Sequence, residues 1–164
     1  QRQAPPALRL EDYSPVLRAP GASFVTLTKK VALRGCIGAL EAYQPLVQDV
    51  CEHAAAAALE DYRFRPVSPD ELPNIQIEIS RLTSPQPLPY RTTEELLASL
   101  HPGVDGVILR DGARRATFLP QVWEKLPDPY EFLSNLCLKM GAPADAWLKK
   151  NLVIETYQVE EFHE

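Results

Sequence analysis

The stretch Ile75-Gln76-Ile77-Glu78-Ile79-Ser80 alternates apolar and polar side chains without a break. A period of two belongs to a strand with one buried face, so the isoleucines point to a core while Gln76, Glu78 and Ser80 face the other way. Upstream, Ser23-Phe24-Val25-Thr26-Leu27 and residues 32–40 are rich in strand formers and flank a turn bearing Lys29 and Lys30, which predicts a β-hairpin. Between hairpin and strand, Val47, Val50, Cys51, Ala54 and Ala58 recur at helical spacing behind Pro45, whose fixed φ suits the start of a helix. The alanine run 54–58 continues that apolar face, and its small side chains let the helix axis lie close to a sheet. Ser68, Pro69 and Glu71 have the spacing of a capping box ahead of the alternating strand.

The same order is written again further on. Residues 104–110 and 115–119 flank Asp111-Gly112, a strong hairpin signal. A helix follows with Asp128 as N-cap, Pro129 at its first position, Glu131 three residues past the cap, Gly141 just beyond its end, and a stripe of Leu133, Leu136, Cys137 and Met140. Residues 152–162 close the chain as a strand-like run, and two further helices are expected at 93–100 and 144–149. The expected architecture is α+β: two intertwined hairpin-helix-strand repeats, about 23–82 and about 104–162, forming sheet covered by helices. A stiff proline-rich connector at 83–91 joins them within a single domain spanning 1–164.

A chain of 164 residues is one domain by length and buries about 70% of its unfolded surface. Its three cysteines cannot all pair within the chain, show no Cys-x-x-Cys spacing and follow no apolar secretion segment, which together favour a reducing cytoplasm. No apolar run approaches the roughly 20 residues needed to cross a bilayer, so no membrane association is expected. A net charge of −5 argues against broad nonspecific binding to nucleic acid or anionic lipid; an anionic ligand would need a local basic pocket. The sixteen prolines punctuate elements, and residues 1–20 read as an extended lead-in.

The chemistry concentrates in Leu33-Arg34-Gly35-Cys36-Ile37-Gly38. Strand alternation sends Arg34, Cys36 and Gly38 to one face, where a guanidinium beside a thiol favours the thiolate. The competing reading makes Cys36 a small buried hydrophobe and the glycines a bulge or a close backbone approach.

With Arg63-Phe64, Glu71-Leu72-Pro73, Gly103-Val104-Asp105-Gly106 and Ala116-Thr117-Phe118-Leu119-Pro120, this motif closely resembles the AMMECR domain family, in a prokaryotic-type member, from about residue 24 to 162. The resemblance implies a cytoplasmic protein with two interlocked α+β repeats, a cleft between subdomains, and a suspected enzymatic activity. It also implies a pathway shared with Memo-type proteins of the extradiol-dioxygenase fold and with radical S-adenosylmethionine (radical SAM) enzymes. Members commonly begin with a helix before the first strand, whereas this chain starts in proline-rich sequence.

Family motif positions supply Arg34, Gly35, Cys36 and Gly38, then Arg63, Thr117 and Pro120; Glu78 and Ser80 join them on the polar face of a strand that should pair with the first hairpin. Cys36, Arg34 and Glu78 are the candidate catalytic groups, and Gly35, Gly38, Arg63, Ser80 and Thr117 the candidate ligand-binding ones. Against a shared site stands an Arg63–Glu78 ion pair tying a loop to the sheet. His53, His101 and His163 fall in no family motif and read as surface residues, which disfavours a Cys-His dyad. Cys51 and His53, two apart on a helix, cannot face the same way, so no metal site is expected. No glycine loop for a phosphate cofactor is present, and no cofactor is expected. Arg110, Arg114 and Arg115 suit either a phosphate or RNA end, or a charged edge strand. Two function classes follow: a small enzyme or enzyme subunit acting on a nucleotide, RNA base or small metabolite, or a non-catalytic ligand-binding or adaptor module.

Overall fold

The computed structural model describes residues 7–164. They form two compact units, one reaching to Thr83 and including Glu160–Glu164, the other Ser84–Val159. In chain order the first unit holds α1 (Pro15–Arg18), β1 (Ala22–Lys29), β2 (Ala32–Gly38), α2 (Leu46–Leu59) and β3 (Ile75–Leu82). The second holds β4 (Gln86–Pro87), α3 (Thr93–Ser99), β5 (Gly106–Asp111), β6 (Arg114–Phe118), α4 (Pro129–Met140), α5 (Ala146–Lys149) and β7 (Val153–Tyr157), after which β8 (Val159–His163) joins the first sheet. The two four-stranded antiparallel sheets have the orders β2-β1-β3-β8 and β4-β7-β5-β6, so the fold is α+β. In each, a hairpin, a helix and a strand occur in that order, and the third strand pairs with the hairpin's first.

In the first unit α2 lays Ala57, Ala54 and Val50 on Val25 and Leu27, with Ile37, Ile75 and Ile79 around them. Pro45 is the N-cap of α2 and not its first residue; the Leu46 N–H, left without an intrahelical acceptor, donates to the Ala19 carbonyl at 2.9 Å. This contact corrects the extended lead-in. Residues 1–6 lie outside the described residues, but Leu10–Asp12 form a 3-10 turn and Pro15–Arg18 a helical one. The β1–β2 turn is made by Lys30 and Val31, both at positive φ (51° and 63°), the backbone a two-residue I′-type hairpin turn requires.

The second unit packs α4 on its sheet. Leu133, Leu136, Cys137 and Met140 are buried as their spacing predicts, Asp128 accepts from the Tyr130 N–H, and Gly141 closes the helix at φ 86°. Trp123 stacks on Phe132 with ring centroids 3.7 Å apart and donates its indole N–H to Asp105 O. The run 152–162 is two strands, not one: pairing breaks at Gln158, and β7 and β8 belong to different sheets. Among the described residues no helix is long and apolar enough to cross a membrane.

Candidate functional site

The first sheet has two unlike faces. Val25, Leu27, Gly35, Ile37 and Ile79 turn toward α2. The intervening residues face the other way, and register aligns them: Cys36 is opposite Thr26, and Thr26 is opposite Glu78. Thr26 Oγ1 and Cys36 Sγ lie 3.2 Å apart, and His163 Nδ1 lies 3.3 Å from Glu78 Oε2. A thiol, a hydroxyl, a carboxylate and an imidazole thus form one row across four strands. Cys36 is half-buried and unpaired in any disulfide. Thr28, Gln76, Glu78 and His163 border a cavity of about 240 Å³. Ser80 lies one pair along, opposite Phe24, which is also opposite Gly38. A methyl group on Gly38 would meet the Phe24 ring at 2.3 Å, so this glycine makes room for the aromatic side chain.

Arg34 does not join that row. The register shifts between Leu27 and Thr28, with Leu27 opposite Gly35 and Thr28 opposite Leu33, so Arg34 is the extra residue of a bulge and simple alternation no longer relates it to Cys36. Its guanidinium makes a two-pronged contact with Glu71, Nε to Oε1 at 3.0 Å and Nη2 to Oε2 at 2.9 Å, and donates to Arg65 O at 2.9 Å. Glu71 also accepts from Lys29 Nζ at 2.9 Å and from the Ser68 N–H at 3.0 Å, the latter being the reach-back half of the capping box. The Arg34 hydrogen bonds, helped by those of Ser68 and Lys29, hold the Glu71 carboxyl well below the ordinary carboxylate range.

Arg63 pairs with Asp61 and not with Glu78. Its Nε and Nη2 meet Asp61 Oδ1 and Oδ2 at 2.9 and 2.7 Å. Since β2 is an edge strand, its outward backbone groups need partners, and this pair supplies them: the Cys36 N–H donates to Asp61 Oδ2 at 2.9 Å, and Arg63 Nη2 donates to Cys36 O at 3.4 Å. The Arg63 hydrogen bonds hold Asp61 well below the usual carboxylate range. Arg63, not Arg34, is therefore the cation at Cys36.

Thr117 lies in the second unit, where its hydroxyl donates to Val107 O at 2.9 Å and lies 3.0 Å from the Tyr157 hydroxyl. Burial pushes the Tyr157 phenol up. On the second hairpin, Arg110 contacts Glu155 at 2.8 Å and Arg114 contacts Asp111 at 2.7 Å, on or beside the edge strand β6.

One cluster went unread in the sequence. Ser23, Asp49 and His53 are all buried; Ser23 Oγ donates to Asp49 Oδ2 at 2.6 Å, and His53 Nδ1 lies 3.1 Å from the same oxygen. His53 is therefore a core residue, contrary to its reading as a surface one. The four-residue spacing of Asp49 and His53 on a helix was the available signal. His53 Nδ1 also lies 3.4 Å from Ser23 Oγ, but both groups share the same Asp49 oxygen, so the three close on one another in place of the linear relay of a hydrolase triad. Among the described residues no group of three or more His, Cys, Asp or Glu is arranged to hold a metal ion.

Similar proteins carry this chain's pattern across nearly its full length. A protein of Methanothermobacter thermautotrophicus is 42% identical over 159 residues, covering 96% of this chain and 83% of its own. One of Methanopyrus kandleri is 40% identical over 166 residues, covering 99% and 77%. The crystal structure of an uncharacterized protein from Pyrococcus horikoshii superposes with a TM-score of 0.81 at 34% identity, covering 94% of this chain and 78% of that one. The AMMECR1 family model matches residues 1–162, and the chain belongs to the AMMECR1 family.

Proposed function

We propose that the chain is an enzyme, or the reacting subunit of one, that uses Cys36 as a nucleophile on the polar face of its first sheet. The observation that carries this reading is the row Cys36–Thr26–Glu78–His163, in which a half-buried thiol touches a hydroxyl with a carboxylate on the next strand. A thiol kept only for packing would be enclosed by aliphatic side chains. Thr26 orients the sulfur, and Glu78 with His163, one strand beyond Thr26 on the same face, would take the thiol proton by way of the Thr26 hydroxyl or a bound substrate group. Gly35, Gly38, Arg34 and Arg63 shape this face by holding β2 in place, and Ser80 extends it.

The substrate class is a nucleotide, RNA base or small metabolite, handled with Memo-type and radical SAM partners in the cytoplasm. Arg34 and Arg63 are held by Glu71 and Asp61, which favours a base or uncharged metabolite over a phosphate at this face.

Timed alkylation of the folded protein by iodoacetamide, followed by peptide mapping, tests the reading. Cys36 should react faster than Cys51 and Cys137, whose thiols burial pushes up. Glu78→Gln should slow modification of Cys36 if Glu78 takes the thiol proton, whereas loss of its negative charge alone would speed it, and Arg34→Met should leave the rate unchanged. Equal labelling of all three cysteines, or indifference to Glu78, would favour the alternative of a non-catalytic ligand-binding or adaptor module.

A further inference from the structure

The second unit holds two adjoining cavities that share Tyr90 and Asn151 as walls. The first, about 310 Å³, is bordered by Arg91, Lys149 and Lys150, and among the described residues no carboxylate lines it. The second, about 250 Å³, is bordered by Pro87, Leu88, Leu152 and Val153. A short edge strand is the cause. β4 covers only Glu155 and Thr156 of β7, leaving the start of that strand open, and Val153 is 59% exposed. Beyond β4 the chain is pinned by two hydrogen bonds, Leu88 N–H to Ile154 O of β7 at 2.8 Å and, just before β7, Leu152 N–H to the Tyr90 hydroxyl at 3.1 Å. Pro87 and Pro89 stiffen the pinned segment, so the walls are formed before anything binds.

In a chain of net charge −5, three cations around one cavity mark a local reversal of sign. Lys149 and Lys150 contact Asp145 and Asp111 at 2.8 and 2.9 Å; the first is an exposed ion pair of small worth, the second meets a partly buried carboxylate that Arg114 shares, and each ammonium has three donors. We propose that the double cavity binds a small amphiphilic anion, its carboxylate or phosphate head at Arg91, Lys149 and Lys150 and its apolar tail along Leu88, Leu152 and Val153. Charge complementarity selects the head and the continuous apolar wall selects the tail. The two depressions are open to solvent but each is of small-molecule size, with the cations on one and the apolar wall on the other, which fits a free ligand carrying both groups. The site involves no residue of the Cys36 row and stands independently of it.

Titration of the full chain with octanoate and octyl phosphate, against inorganic phosphate and octanol, tests the assignment by calorimetry and amide chemical shifts. At least one amphiphilic anion should bind about tenfold or more tightly than octanol and than inorganic phosphate, with shifts at Tyr90, Asn151 and Val153. Which of the two binds identifies the head group. Arg91→Glu and Lys149→Gln should each weaken that anion about tenfold or more while sparing octanol, and Val153→Asp should abolish tail binding. All three side chains are exposed, so melting curves should confirm intact folding. Equal affinity for octanol would overturn the anionic head, and equal affinity for inorganic phosphate would overturn the tail groove. Absence of binding to every probe, or capture by anionic vesicles without binding of the soluble anions, would overturn the site.

Discussion

Gly35 lies so close beneath α2 that a methyl group on it would come within 2.1 Å of the Ala57 carbonyl oxygen. The contact is between backbones, strand to helix, and the alanines of α2 make the matching approach from the other side. The glycine of the motif is thus required by packing, and the close approach sets where β2, and with it Cys36, sits relative to the rest of its unit.

Gly35→Ala should destabilise the protein by about 1–3 kcal/mol, because the obstacle is a main-chain oxygen that cannot rotate aside. Urea denaturation should show a lower midpoint with an unchanged slope. A neutral result would mean that α2 can shift away from the strand without loss.

Acid should loosen the loop that Glu71 anchors. Its carboxyl is held below the ordinary value of 4.5 in the folded state, so its contribution is complete above that value and drains away as the pH falls through the folded value. Melting temperature followed downward from pH 7 should begin to fall near the ordinary carboxylate range, and the fall should be shallower in Glu71→Gln, which starts lower. Parallel curves for the two proteins would remove Glu71 from the account.

The Ser23–Asp49–His53 cluster should behave as one unit. Ser23→Ala is expected to cost about 1 kcal/mol, and Asp49→Ala about 3 kcal/mol because it strands buried donors. The double substitution should cost less than the two added together, since both remove the same hydrogen bond. Additive losses in chemical denaturation would show that the hydroxyl and the carboxylate act separately.

Val31→Gly should stabilise the first hairpin. Valine at φ 63° is a strained choice for a β-branched residue, and its side chain is 94% exposed, so little packing is lost. Relief of a left-handed valine is worth about 1–2 kcal/mol, from which the greater chain entropy of glycine subtracts up to about 1 kcal/mol. Thermal melting should show a small rise; a drop would assign Val31 a packing role.

Local patterns carried much of the architecture. The Ile75 to Ile79 strand, the Asp111-Gly112 turn, and the Asp128–Pro129 start and Gly141 stop of α4 each depend on residues close in the chain, and each appears where the spacing places it, although only Ile75 and Ile79 pack on the core and Ile77 is 38% exposed. The Cys36–Glu78 alignment was also legible, because strand parity and pairing suffice to bring them to one face. Arg34 was misplaced because a bulge adds one residue and resets parity; the glycines of the motif allowed for a bulge, but not for which residue it would displace. The partners of the two arginines, Glu71 and Asp61, come from segments that meet β2 only when α2 and its following loop fold over the sheet. The burial of His53 and the double cavity beside β7 depend likewise on which elements cover which. Periodicity and capping are properties of neighbours in sequence; charge partners, cavities and the fate of a buried histidine are properties of neighbours in space, and only the tertiary structure decides them.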